Sequence, residues 1–573
     1  MKKYFVASYR LLNNSEKKKV IIFFWLTFCS LIFETLSIGA FYPLFSAFII
    51  DDLNNKFPFI EIILDFFGLN YNPDKALFYA STFIIFAFFL KNIFLIYFLF
   101  WQSNFYKNIK VRIKSDLLKI YNYESYTFHL KNNSSNLIRN ITFTSDQAIT
   151  NISNCMMIII ESLIFFGLCV FLFFIQSKMI FFLLIAIGLP TVVFAPIIKN
   201  IVGKWGKWLV SIQGKSMKAL FQSFSMIKEI KIFSKEEEFV NLYATEEKKF
   251  QNIFMKTTIL KNLPRFFFEI LALVSIIAYI YLKHQSSSAS LTSLIPEIGI
   301  LTVTALRVYP SINKIIFALN KLSQNYKAIN IISSDLSKLK NYNEPINNQK
   351  ILFNEVKLEN IFFSYSDKKN NIINDLNFSI KKGEYVGIYG KSGSGKSTFL
   401  DILLGMFEPT SGRILLDNEK SNLCSSKWRN TIGYVPQVVN LIDENVIKNI
   451  SFESQEDQID YERFNKAINY SLLEDFIKGL PEKKFTHLGE RGSKISGGEK
   501  QRIGIARALY KKSEILILDE STNSLDQKTK KVILENINNL RGEKTIISIS
   551  HEMEVLKDCD KVFEMKNGKL VKI

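Results

Sequence analysis

The residues best suited to chemistry sit in the last third of the chain. Tyr389–Thr398 reads YGKSGSGKST and fits GxxxxGK(S/T), with Gly390, Gly395, Lys396 and Ser397 at the fixed positions. Glycines let successive backbone N–H groups curl around phosphate oxygens at a helix N-terminus. Lys396 would reach the β- and γ-phosphates and the Ser397 hydroxyl would ligate Mg²⁺. The expected phosphate cradle is therefore Gly390, Lys391, Ser392, Gly393, Ser394, Gly395, Lys396, Ser397 and Thr398. A chance glycine-rich turn could match the same pattern. Further motifs downstream argue against it.

Ile515–Glu520 reads ILILDE, an apolar strand ending in two acids. Such a strand delivers both carboxylates to the edge where open α/β sheets bind ligands. Asp519 would support Mg²⁺, and Glu520 would polarise an attacking water. Gln437, in YVPQ, could meet both Mg²⁺ and that water. His551, in SISH, could contact a γ-phosphate from a strand end. Ser496, Gly497, Gly498 and Glu499 precede a helix-compatible run and make a second phosphate-binding N-terminus. One nucleotide needs only one glycine-rich loop, so this second site wants the γ-phosphate of another nucleotide. Tyr365 could stack on adenine. A strand tyrosine packed in a core is the alternative.

These residues need a scaffold. Glu384–Ile388 is strand-like and Phe399–Leu404 is helix-compatible, so the loop between them is strand–loop–helix. Ile351–Tyr365 and Ile372–Ile380 alternate as strands, and Tyr461–Leu480 reads as a charged helical segment. The C-terminal part, 351–573, is expected to be a soluble α/β domain.

The N-terminal part has a different character. The chain has 573 residues, a formal net charge of +19, 48% hydrophobic residues and 52 Phe, which points to a membrane protein. Six apolar runs follow one another: Val20–Ile50, Ala76–Trp101, Cys155–Ile175, Met179–Val202, Leu263–Leu282 and Leu291–Leu322. Each is long enough to cross, since about 20 residues suffice. The N-terminus, 102–150 and 203–261 are basic, whereas 51–74 is acidic. The positive-inside rule then puts both termini in the cytoplasm. That distribution accounts for the basic charge without a nucleic-acid partner. Phe57–Leu69 is apolar but too short to cross, and could lie at the interface. Five scattered cysteines without a CxxC give neither a disulfide framework nor a zinc site. The domains are expected at 1–335 (membrane) and 351–573 (α/β), with 336–350 as linker.

Taken together, these motifs resemble the ATP-binding cassette (ABC) transporters, and specifically exporters with fused membrane and nucleotide-binding halves. The resemblance covers nearly the whole chain. It implies an α-helical six-span transmembrane domain of ABC exporter type I followed by an α/β P-loop NTPase domain. It makes Gly390–Thr398 the Walker A loop, Ile515–Asp519 the Walker B strand, Glu520 the catalytic glutamate, Gln437 the Q-loop and His551 the H-loop residue. Ile495–Glu499 (ISGGE) is similar to the LSGGQ signature with two departures. Asn523–Asp526 (NSLD) matches the D-loop loosely. Thr486–Gly492 (THLGERG) resembles the exporter X-loop, and Ser225–Phe239 the coupling-helix region. ATP and Mg²⁺ are the implied cofactors, and a second copy of the chain is the implied partner, since each chain carries one P-loop and one signature.

A narrower resemblance is to bacterial lipid-linked oligosaccharide flippases, carried by FETLSIG (33–39), SSNLIRNI (134–141) and ALRVYPS (305–311). It implies a multi-pass protein of the bacterial inner membrane moving a lipid-linked glycan. Separately, Lys91 and Arg307 lie within or at the edge of spans, where a charge should face a partner or a wet cavity, so Arg307, with Lys91, could meet an anionic head group. Peptides, drugs or other lipids are alternative cargoes, and an ATP-gated channel is a remoter one. The other reading of Arg307 is pairing with Glu34, Glu161 or Glu269, because an unpaired charge at mid-membrane costs at least about 2.5–3.5 kcal/mol on insertion scales.

Overall fold

The structure, a computed structural model, describes residues 2–46, 76–175, 177–286, 295–338, 349–365, 371–489 and 492–573. Phe57–Leu69 lies outside the described residues. So do most of the expected linker, the short outer links at 176 and 287–290, and Glu490 and Arg491 of the THLGERG stretch. The side chains over 175–199 also fall outside, as does that of Arg265, a further cation expected within or at the edge of a span. The chain divides into two units, one of Met1–Glu124 with His129–Tyr342, the other of Ser125–Phe128 with Asn343–Ile573.

The first unit is helical. Among the described residues its long helices are α1 (Asn14–Gly39), α2 (Ala76–Tyr123), α3 (Ser145–Ile175), α4 (Ser177–Ser225), α5 (Glu236–Ser286) and α6 (Ile295–Gln324). Among the described residues, four helical stretches are long and apolar enough to cross a membrane: 14–46, 78–123, 134–174 and 295–324. The expected fourth and fifth spans fall on α4 and α5. α1 starts with a capping box in which Asn13 accepts from the Glu16 N–H and Glu16 answers the Asn13 N–H. The same Glu16 carboxylate clamps Arg112 of α2, at 2.7 Å from Nε and 2.7 Å from Nη2. Along α2, Phe86, Phe89, Ile93, Ile96 and Phe100 are exposed, as a lipid-facing surface requires. Pro310 sits inside α6, where it removes one backbone donor from the helical ladder.

Several expected boundaries move. α2 runs 22 residues past Trp101 as a polar helical extension to Tyr123. The helix Tyr326–Ser337 continues into the expected linker, which is therefore ordered helix at 336–337. The expected coupling stretch Ser225–Phe239 contains a separate short helix, Ile227–Ile232. Tyr461–Leu480 is not one helix but two, Tyr461–Tyr470 and Glu474–Gly479. Leu472, at φ +55°, turns the chain between them.

The second unit carries two sheets. One is antiparallel, in the order β2 (Ile373–Lys381), β1 (Glu355–Phe363), β4 (Ser411–Leu416), β5 (Glu419–Lys420). The other runs β10 (Lys569–Lys572), β9 (Lys561–Lys566), β3 (Tyr385–Tyr389), β8 (Thr545–Ser550), β7 (Ile515–Asp519), β6 (Ile432–Val435). From β9 to β6 every neighbouring pair is parallel. Burial on both faces explains why ILIL is a continuous apolar run rather than an alternating one, and every residue of TIISIS is buried as well. The core gathers Val386, Ile388, Ile517 and Ile547 from this sheet with Phe399 and Ile402 of α7 (Lys396–Leu403) and the fully buried Trp428.

Candidate functional site

The sheet order assembles the site. β3, β8, β7 and β6 lie side by side and point the same way, so their C-terminal ends share one edge. Tyr389 is in register with Ser550, Asp519 with Ile549, and Val435 with Leu518. The glycine-rich loop leaves β3, Asp519 and Glu520 leave β7, His551 leaves β8, and Gln437 follows β6. Motifs separated by more than 150 residues of sequence converge at that edge.

The loop has the shape phosphate binding needs. Gly393 and Gly395 take φ of +76° and +107°, in the left-handed region that favours glycine. A Cβ at Gly390 would stand 2.9 Å from the Met565 carbonyl oxygen, whereas one at Gly393 would meet nothing within 4 Å. Lys396 Nζ donates to the carbonyls of Gly390 and Lys391, the latter at 3.1 Å, so the ammonium is already folded over the loop. Ser394 Oγ is buried without a hydrogen-bond partner. Open space at Gly393, an orphan hydroxyl at Ser394 and the N-terminus of α7 behind the loop fit a polyphosphate. Tyr365 packs edge-on against Phe363 and Phe407, with centroids 5.2 and 5.5 Å away, and its hydroxyl lies 3.4 Å from Thr398 Oγ1. It belongs to the core cluster and also borders the loop.

Glu520 is the centre of the polar cluster. Its φ is +47°, a conformation a non-glycine residue holds only when its surroundings impose it. Its N–H donates to the Ile549 carbonyl at 3.0 Å, which pins the turn to β8. Glu520 Oε2 accepts from Gln437 Nε2 at 2.9 Å and from Asn523 Nδ2 at 3.0 Å, and lies 3.5 Å from His551 Nδ1. Gln437 and His551 were legible in the sequence. Asn523 was read only as part of a loose D-loop match, and its spacing of three from Glu520 is the signal that could have placed it.

Asp519 accepts from the Tyr434 hydroxyl at 3.3 Å. Burial, with a further contribution from the charge of Glu520, holds its carboxyl above the usual range. A divalent cation would reverse that cost. Among the described residues no three His, Cys, Asp or Glu side chains form a protein-only metal site. Asp519, Ser397 and Gln437 suit Mg²⁺, which is commonly held by one or two carboxylates together with substrate phosphates.

Asp401 on α7 was not anticipated. Burial first, and the Asp519 charge second, push its carboxyl up to about 6. The folded state therefore holds a proton that the unfolded chain has lost, and ionising Asp401 destabilises the fold as pH rises through that window. Asp401→Asn is expected to raise the melting temperature. The gain should be largest above about pH 6 and vanish below about pH 4, where both states are protonated. Melting curves across pH check this, and a pH-independent gain contradicts it.

Ser496 caps the helix α8 (Gly497–Tyr510). Its hydroxyl donates to Glu499 Oε2 at 2.8 Å and its N–H to the same oxygen at 2.7 Å. Gln501 Oε1 accepts from the Ser524 N–H at 2.9 Å, tying this helix to the NSLD loop. Among the described residues no hydrogen bond joins Ser496–Glu499 to Gly390–Thr398. The structure brings the other motifs together and leaves this one apart.

Residues 23–303 match the ABC transporter transmembrane region and residues 373–523 match the ABC transporter family. The chain belongs to the ABC exporters with fused transmembrane and ATP-binding domains. A Rickettsia bellii protein named for an export ATP-binding/permease role is 28% identical over 498 residues, covering 82% of each chain. ABC transporter B family member 29 of Arabidopsis thaliana is 37% identical over 44% of this chain and 40% of its own length. An ATP-dependent lipid A-core flippase of Ralstonia nicotianae is 33% identical over 38% of this chain and 37% of its own. A solved bacterial Atm1-family ABC exporter with ATP bound shares the fold, with a TM-score of 0.75 at 20% identity over 98% of this chain and 95% of that one. The first curated relatives are thus matched over about two fifths of their length.

The membrane unit holds a second polar cluster. Arg307 Nε donates to Glu34 Oε1, and Arg307 Nη1 lies 2.9 Å from Ser311 Oγ and 3.6 Å from Glu161 Oε2. Lys91 Nζ is 3.8 Å from Glu34 Oε2 and 4.2 Å from the Phe88 ring centroid. Lys314 Nζ donates to Glu161 Oε1 at 2.6 Å. Arg307 is therefore paired, with Glu34 and Glu161, two of the three glutamates named as candidates. Glu269 instead accepts from the Tyr309 hydroxyl at 3.0 Å. Lys314 was missed, although positions 307, 311 and 314 share one helix face.

Proposed function

We propose that the protein is a homodimeric, ATP-driven exporter of the bacterial inner membrane, with both termini in the cytoplasm, that flips a lipid-linked oligosaccharide or related glycolipid. Residues 1–335 would form the path, 351–573 the motor and 336–350 the link. The motor reading rests on one observation above all: Glu520, Gln437 and His551 meet at the edge from which the glycine-rich loop departs. Glu520 would orient and deprotonate water, Gln437 and Asn523 would hold its carboxylate, and His551 would sense the γ-phosphate. Mg²⁺, when bound, would neutralise phosphate charge as it develops. The separation of Ser496 from the loop of its own chain supports completion of each site by a partner's Ser496–Glu499. A dimer then has two equivalent sites.

The cargo reading rests on the membrane cluster. It has three cations to two carboxylates, and two of the cations, Arg307 and Lys314, are its accessible members, whereas Lys91 is largely buried. The side chains of Arg307 and Lys314 are 24% and 48% exposed, against 3% and 6% for Glu34 and Glu161. Such a surface suits a diphosphate head group, and Arg suits it best because its fork donates two hydrogen bonds at once. A similar protein is named as a flippase of lipid A-core. Others are named for alpha-hemolysin translocation, which favours a peptide cargo as the second reading.

Translocation of a lipid-linked oligosaccharide into sealed vesicles, followed separately from ATPase, tests this. Arg307→Ala is expected to cut translocation at least about tenfold, the loss of a charge-assisted contact, and deletion of the apolar Phe57–Leu69 is expected to cut it by removing a surface for the lipid's tail. If both variants translocate normally, or wild type moves only peptides, the glycolipid reading is wrong and the motor assignment survives.

A further inference from the structure

The membrane cluster is layered, and the layering has a consequence for how cargo is sensed. Glu34 lies on α1, Lys91 on α2, Glu161 on α3, and Arg307 and Lys314 on α6, so five side chains tie four helices together. The carboxylates and Lys91 are largely buried, and Arg307 and Lys314 form the open side. Arg307 is shared unequally. Its Nε is hydrogen-bonded to Glu34, whereas Glu161 Oε2, 3.6 Å from Nη1, is buried without a hydrogen bond. Among the described residues, the ion pairing between α1 and α6 is a single guanidinium–carboxylate pair, set beside an apolar core that Ile38 shares with Ile300 and Val308, and Lys91 is a more distant second partner of Glu34 at 3.8 Å.

We infer that Glu34 is a resident counter-ion that an anionic head group displaces from Arg307, and that this exchange unties α1 from α6 and so admits the cargo-dependent rearrangement. The inference rests on the anionic-cargo reading above and adds the coupling step. An anion approaching from the open side meets Arg307 and Lys314 first. When Arg307 turns its fork to that anion, Glu34 keeps only Lys91. A buried carboxylate that loses its main partner is strongly destabilised, so the exchange is favourable only when the incoming charge is large enough to offset it. A diphosphate meets that demand with several oxygens and more than one charge. A neutral or zwitterionic lipid does not. The pair therefore acts as a threshold on head-group charge as well as a clamp. In the language of coupling, cargo binds the untied arrangement better than the tied one and shifts the population accordingly.

The test uses the full-length wild-type protein in phosphatidylcholine vesicles, with ATPase as the readout. Three probes are compared: a polyprenyl diphosphate in the bilayer, the uncharged polyprenol, and inorganic pyrophosphate in the buffer. Wild type is expected to respond to the polyprenyl diphosphate by about fivefold or more, the lower end of ordinary coupling, and not to polyprenol. A response to pyrophosphate alone would show that the charge suffices without the lipid tail. Glu34→Gln is expected to run at the stimulated rate without any probe and to gain nothing from the diphosphate. Glu34→Asp keeps the charge but shortens the reach, so a raised basal rate with a retained response is expected. It serves as the second variant if the glutamine substitution fails to fold. Arg307→Ala is expected to lose the response. If Glu34→Gln and Glu34→Asp keep the wild-type basal rate and full response while Arg307→Ala loses it, the counter-ion exchange is wrong and the anionic-cargo reading stands. If wild type responds to neither diphosphate, both fall together.

Discussion

Glu520→Gln is expected to bind Mg·ATP within a few-fold of wild type and to lose turnover by about 10²–10⁴-fold, the ordinary contribution of a positioned general base. The substitution is close to isosteric. The turn that holds the residue at φ +47°, with its N–H on Ile549, is a backbone feature and should survive it. What disappears is the carboxylate that now receives Gln437 at 2.9 Å and Asn523 at 3.0 Å. An amide cannot take up the water's proton, and its own N–H₂ faces the donors that the carboxylate accepted. Equilibrium nucleotide binding and steady-state phosphate release on the purified variant separate the two effects. Unchanged hydrolysis would remove Glu520 from the reaction.

The second large effect concerns the partner copy. Lys396→Ala and Ser496→Arg are each expected to silence the homodimer, because each damages both composite sites. Mixed dimers separate the sites. With one change on each chain, both fall on the same shared site and the other stays intact, so turnover persists. With both changes on one chain and a wild-type partner, each site carries one lesion and turnover is lost. The physical basis is that, among the described residues, no hydrogen bond joins the two motifs within one chain. Ser496 is tied to Glu499, and its helix to Ser524, while the loop Gly390–Thr398 makes its contacts elsewhere. Equal activity in the two arrangements, or an active monomer by light scattering, would contradict the composite site.

Much of the motor was legible because its chemistry is local. The strand read as Ile515–Asp519 has those bounds in the structure, and the glycine-rich loop joins a strand to a helix as its flanks require. Parallel strands buried on both faces announce themselves as unbroken apolar runs. What stayed hidden depended on the backbone or on long-range packing. Nothing in the letters DEST says that Glu520 takes a positive φ, and Leu472 gives no warning that it will break a helix. Hydropathy sees only the part of α2 that suits lipid, so the polar extension to Tyr123 was invisible to it. The pairing of Arg307 with Glu34 joins residues 273 apart in sequence, and only the packing of α1 against α6 could reveal it. Physical chemistry did say that such a charge must find a partner or water. It left open which glutamates would supply one. Lys314 escaped because it lies near the end of an apolar run, where a lysine reads as a flank rather than as a third member of a charged face.

The most direct test of the account follows ATP hydrolysis and glycolipid movement in the same vesicles. Wild type and Glu520→Gln would be reconstituted with a lipid-linked oligosaccharide, and phosphate release and the oligosaccharide's exposure on the far leaflet would be read together. The account predicts that wild type moves the lipid only with hydrolysable ATP, and that Glu520→Gln binds nucleotide, hydrolyses almost none and moves almost none. Translocation by Glu520→Gln at the wild-type rate, or by wild type without ATP, would contradict it.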